Sequence, residues 1–145
     1  MCIRDRITAL AELCSENFAD YNAERMARLI KKRMSSGEIF VIEHKNNIAG
    51  FIMFSKKNKT IDHIAVSPDY RRIGIASRLM VTAMAQFEVG EELSAVTFRQ
   101  EHPMSDGVSR MYKKFGFDDE KNIVVRGEPL VKRTAVVPEK AIITE

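Results

Sequence analysis

Arg71-Arg72-Ile73-Gly74-Ile75-Ala76 is the stretch whose residue types and spacing most directly suit chemistry. It follows Ser67-Pro68-Asp69-Tyr70 at the end of a strand pattern and opens a helical one. That order places successive backbone N–H groups at a helix N-terminus, where an anion is favoured. Gly74 permits a backbone conformation and a close approach that a side chain would block, and Ala76 is small enough for the same purpose. Arg71 and Arg72 supply fixed positive charge, while Ser77 and Arg78 add a hydroxyl and a third cation in the first helical turn. The loop predicts a phosphate site. It lacks the Gly-Lys-Ser/Thr ending of a nucleoside-triphosphate loop and the three glycines of a dinucleotide fingerprint.

The surrounding elements must position that loop. Ile7, Leu10, Leu13, Cys14 and Phe18 recur at helical spacing, and Ala23, Met26, Leu29, Ile30 and Met34 repeat it after Asp20-Tyr21-Asn22. Two amphipathic helices therefore open the chain, the second ended by Gly37. Ile39 to Glu43 reads as a strand turned by Asn46-Asn47 into a second, Ile48 to Ser55. A third strand, Thr60 to Val66, sets Asp62, Ile64 and Val66 on one face and His63 on the other. Ile75, Leu79, Met80, Ala83, Met84 and Phe87 then trace a helix that Gly90 can terminate. Leu93 to Phe98 is a fourth strand, Arg99 to Asp106 a polar loop, and Val108, Met111, Tyr112 and Phe115 a short helix closed by Gly116. Extended segments follow at Phe117 to Arg126 and Leu130 to Val137, and a loose tail begins at about 138.

With these elements in place, the loop resembles the Arg/Gln-x-x-Gly-x-Gly/Ala motif of GNAT-superfamily acetyl-CoA-dependent N-acetyltransferases. Ile61 to Tyr70 is similar to that family's fourth strand leading into the loop, and Met111-Tyr112-Lys113-Lys114-Phe115-Gly116-Phe117 to its Leu-Tyr-x-x-x-Gly-Phe element. The resemblance spans Ile39 to about Phe117. It implies an α/β domain over residues 1–145, with a mixed, mostly antiparallel sheet and helices on both faces. It further implies acetyl-CoA as donor, its pantetheine arm along Ile64, Ala65 and Val66 and its pyrophosphate on the amides of Ile73, Gly74, Ile75, Ala76 and Ser77, near Arg71 and Arg72. An amine would attack the thioester directly. Asp62 matches the position of a general base, with Glu92 and Glu101 as rivals, and Tyr112 the general acid. A backbone N–H near Val66 would meet the oxyanion. Ser105 stands where an asparagine often contacts the cofactor, and only Cys2-Ile3-Arg4 remains of the opening strand, which is expected to be short or missing or to reflect an altered N-terminus.

Plainer readings stand beside these. Asp62 can be a solvated carboxylate or a lysine's partner, Tyr112 a core tyrosine, His63 a packing or surface residue, and Lys31-Lys32-Arg33 a solvated helix end favouring the helix dipole. Cys14 sits on an apolar stripe, which points to burial. The 23 Lys and Arg against 20 Asp and Glu are dispersed, for a net charge of +3, which favours a local anionic ligand over nucleic acid. Two cysteines and three scattered histidines suggest neither a disulfide framework nor a metal site. No apolar run is long enough to span a membrane, so a soluble cytoplasmic protein is expected. The expected acceptor is a small-molecule or peptide amine, and an exposed strand near the C-terminus can support a homodimer. A catalytically silent acyl-CoA sensor or scaffold is the alternative.

Overall fold

A computed structural model describes residues 2–99 and 105–139, without the side chains of residues 105–108. The elements run α1 (Ile3–Leu13), α2 (Ala23–Ser36), β1 (Ile39–His44), β2 (Asn47–Ser55), β3 (Thr60–Val66), α3 (Ile75–Met84), β4 (Glu92–Phe98), α4 (Ser105–Lys114), β5 (Asp119–Val125) and β6 (Glu128–Val136). Single 3-10 turns at Ser15–Asn17 and Pro68–Tyr70 lead out of α1 and β3. The punctuation is that of the sequence. Asn22 caps α2 by accepting from the Arg25 N–H at 3.0 Å, and Gly37 ends it in the left-handed region at φ 74°. Lys45 and Asn46, both at positive φ, turn β1 into β2, and Arg126-Gly127 turn β5 into β6 in the same manner.

The six strands form one sheet in the order β1-β2-β3-β4-β6-β5. Every pairing is antiparallel except β3 with β4, which run parallel and meet at a single bridge, Thr60 to Ser94. Beyond that bridge the two strands part, leaving an open wedge in the middle of the sheet. Among the described residues no strand precedes α1, and the first strand of the chain, β1, is fully formed at the sheet edge.

Helices cover both faces. α1 and α2 pack Ile7, Leu10, Ala11, Met26 and Ile30 against Phe51 and Met53, while α3 packs Leu79, Met80 and Ala83 against Ile52, Phe54 and Leu93. β2 lies between the two layers and is buried from Ile48 to Ser55. Gly50 lets α3 approach: a Cβ there would stand 2.7 Å from the Ala65 carbonyl oxygen and 3.0 Å from Ile75 Cγ2. The helix that follows the glycine loop is thereby seated directly on the sheet beside β3.

β3 departs from simple alternation. Met53 pairs with His63 but Phe54 pairs with Ile61, so Asp62 is an extra residue, a bulge in the ladder. A bulge turns two successive side chains toward the same side. The expectation that His63 faces away from Asp62 is corrected on this ground.

Candidate active site

Asp62, His63, Ile64 and Tyr112 line one cavity of about 410 Å³, with Phe18, Asp20, Arg25 and Met26 from the α1–α2 side and Val96, Leu130 and Arg126 from the far half of the sheet. Two of the proposed reactive side chains, far apart in the chain, thus face one space beside the β3–β4 wedge. The bulge presents Asp62 and His63; α4, closed by Gly116 at φ 88°, presents Tyr112.

Asp62 is held on both oxygens. Arg33 Nε donates to Oδ2 at 2.7 Å and Thr60 Oγ1 donates to Oδ1 at 2.8 Å. A carboxylate has about four lone-pair sites, so capacity remains for an amine or a water. Arg33 also pairs with Glu38 at 3.6 Å and is itself only 5% exposed. This corrects the reading of Lys31-Lys32-Arg33 as a uniformly solvated helix end: Lys31 and Lys32 are exposed, but Arg33 turns inward. The signal was available, since Met26, Ile30 and Arg33 fall on one helical stripe.

Tyr112 is 4% exposed and its ring meets Phe117 edge-on, centroids 5.2 Å apart. Burial, reinforced by the negative charge of Asp62 and opposed by Arg133, drives its phenol well above the ordinary value. At neutral pH it is protonated. His63 lies edge-on to Phe18 at 4.9 Å, and burial pulls its pKa down to about 4 despite the opposing charge of Asp62. The imidazole is therefore neutral at pH 7, and its Nδ1 has no hydrogen-bond partner among the described residues.

Arg133 escaped sequence reasoning. It is 3% exposed, donating from Nε to Thr97 Oγ1 at 2.8 Å and from Nη2 to Ser109 Oγ at 2.7 Å, and it pairs with Glu120 at 3.4 Å. The helix that carries Tyr112 is thereby tied to β4 and β6. Its inward register with Val131 and Ala135 was the clue, masked by neighbouring Lys132.

The glycine loop lies at the other end of β3. Arg72 at φ 66° and Gly74 at φ 86° are both left-handed, and Gly74 is the N-cap of α3 without any side-chain cap. The first-turn amides of α3 consequently lack intrahelical acceptors, and Arg72, Ile73 and Gly74 are exposed. These residues fit a phosphate-bearing ligand. Ile75 is buried under the loop, while Ala76 and Ser77 are half-buried in the first turn. Arg71 folds back, donating from Nε to the Val66 carbonyl at 3.2 Å. Ala65 is buried; Ile64 and Val66 are half-buried along the wedge. Lys114, not singled out from the sequence, donates to Ser77 Oγ at 2.8 Å and brings a further cation to the loop. Cys14 is buried as expected, its Sγ 3.6 Å from the Val66 carbonyl, and burial raises its pKa against the influence of Arg71.

Other expectations fall elsewhere. Ser105 begins α4, but its side chain lies outside the described residues, as do Glu101 and the tail beyond 139. Glu92 is exposed at the start of β4 and does not line the cavity. No helix among the described residues is long and apolar enough to cross a membrane.

A family model for the acetyltransferase (GNAT) domain matches residues 35–119. Among solved structures, a GNAT-family protein from Desulfovibrio desulfuricans superposes with a TM-score of 0.72 at 16% identity, over 92% of each chain. An acetyltransferase of the GNAT family from Bacillus cereus gives 0.71 at 18% identity, over 94% of this chain and 92% of its own. yncA from Salmonella typhimurium, solved with its cofactor acetyl-CoA, gives 0.63 at 12% identity, over 95% of this chain and 92% of that one. No curated protein sequence matches. At these identities the structural likeness speaks to the fold.

Proposed function

The chain belongs to the GNAT acetyltransferase family, and from that premise we propose that it transfers an acetyl group from acetyl-CoA to a primary amine in a ternary complex. The observation that carries this reading is the shared cavity beside the β3–β4 wedge, which both Asp62 and Tyr112 line. The donor's phosphates rest on the first-turn amides of α3, with Arg72 and Lys114 as charge partners, and its pantetheine arm follows Ile64, Ala65 and Val66 into the wedge.

The chemistry divides among few groups. An alkyl ammonium has a pKa of about 10.4, so about one amine in a few thousand is neutral at pH 7. Asp62, directly or through a water, accepts the surplus proton. The amine nitrogen bonds to the thioester carbon, the carbon–sulfur bond breaks, and the sulfur leaves with the electron pair and takes the Tyr112 proton. The second proton that the nitrogen sheds as the amide forms returns the phenolate to phenol. A backbone N–H near Val66 meets the oxyanion. Tyr112 arrives protonated at neutral pH, as a general acid must, although burial makes it a weaker acid than an ordinary phenol.

A thiol-release assay with acetyl-CoA and a panel of primary amines, run beside direct measurement of CoA binding, tests the reading. Acetylated product identified by mass spectrometry supports it. CoA binding without transfer to any acceptor would instead support a silent acyl-CoA sensor.

A further inference from the structure

The cavity lining carries charge at two places, the Asp62 carboxylate at one end and the cluster of Asp20, Arg25 and Arg126 at the other. Behind the inner end, Arg33 is shared between two carboxylates, Asp62 at 2.7 Å and Glu38 at 3.6 Å, while Lys56 also acts on Glu38, so the charge presented to the cavity there is the Asp62 carboxylate. At the rim the arrangement is reversed. Asp20 is shared by two guanidiniums, its Oδ1 paired with Arg25 Nη2 at 3.3 Å and its Oδ2 with Arg126 Nη1. One positive charge is in excess there.

The rim guanidiniums retain unused donors. Each has five N–H groups, whereas Arg25 spends Nη2 on the Asp20 carboxylate and carbonyl and Arg126 spends Nη1 on the carboxylate. Arg126 is 57% exposed at its side chain and Arg25 35%, so both can be approached from outside. The Asp20 bridge also joins the α1–α2 loop to the β5–β6 turn, so that the two rim cations come from opposite walls. The rest of the lining is largely apolar, with Phe18, Met26, Ile64, Met111 and Leu130, and includes the neutral His63 imidazole and Thr97.

We propose that the acceptor is an amino carboxylate with an apolar spacer, its carboxylate taken by Arg25 and Arg126 and its amine directed to the Asp62 end. Planar guanidiniums match a carboxylate with paired hydrogen bonds, which favours this anion at the rim. The spacer fills the apolar waist. A neutral amine of equal length occupies the same waist but leaves the rim charge uncompensated. This inference rests on the acyl-transfer reading for the amine's fate, while the binding preference stands independently of it.

The test compares 6-aminohexanoate with hexylamine and 6-aminohexanamide. Acetyl transfer is measured as kcat/KM, and binding to the protein with CoA present is measured by calorimetry. The expected result is a preference for the carboxylate of about tenfold or more in both readouts, weakened by added salt. In Arg126→Gln and Arg25→Gln that ratio falls toward one, with CoA affinity and circular dichroism confirming the folded site. Equal use and binding of the three acceptors by the parent protein overturns the proposal, and so does an unchanged ratio in both variants. A binding preference without acetyl transfer overturns the acyl-transfer reading and upholds the carboxylate site. Absence of both transfer and binding overturns both.

Discussion

Tyr112 and Asp62 line one cavity, yet their surroundings give them different experimental signatures. Tyr112→Phe removes one hydroxyl from a buried ring, keeping the contact with Phe117. The expected outcome is a fall in acetyl transfer of about 10²–10⁴-fold with CoA affinity retained, read by thiol release and calorimetry. Asp62→Asn acts twice. It removes the proposed base and leaves Arg33, 7% exposed at its side chain, with Glu38 as its remaining ion-pair partner. Breaking a largely buried pair costs about 3 kcal/mol, so denaturant unfolding should register the change alongside lost activity. Asp62 and Tyr112 could be singled out as candidates because each stands within a short contiguous motif. Arg33 was not, because a run of three basic residues reads as solvent-facing unless its helical phase is followed.

At the scale of elements, two glycines and one bulge organise the site. Gly50 is required sterically: Gly50→Ala drives a Cβ to 2.7 Å from the Ala65 carbonyl and 3.1 Å from Leu79 Cδ1. We expect about 1–3 kcal/mol of destabilisation in denaturant titrations, with weaker acetyl-CoA binding because α3 carries the loop. Gly74 is required conformationally. None of the described residues lies within 4 Å of a Cβ placed there, but φ is 86°, so among them Gly74→Ala strains only the backbone. That strain, about 1–2 kcal/mol, should raise the KM for acetyl-CoA more than it lowers the unfolding midpoint. Strands and helices followed the sequence closely, since period and turn chemistry are local properties. The bulge at Asp62 did not, because it arises from the pairing of β3 with β2 and from no residue within β3 alone.

Over the whole molecule, the neutral imidazole of His63 links the cavity to acid stability. Its pKa is about 4 in the folded chain against an ordinary 6.5. The unfolded chain therefore takes up a proton first, and the stability fully present above pH 6.5 is lost as pH falls through about 4. The loss approaches about 3 kcal/mol, measurable as a shift in urea midpoint between pH 7 and pH 4 and flattened in His63→Phe. What the sequence determined alone is the order of elements, the glycine loop at the start of α3 and the family motifs, each written in residues that touch through the nearby backbone. Only the tertiary structure decided that Arg33 reaches Asp62, that Arg133 anchors the helix of Tyr112, and that Asp20 meets Arg126 across the cavity mouth. A charged side chain's type is compatible with many partners. Which one it finds depends on where strand order, bulge register and helix packing bring distant segments together.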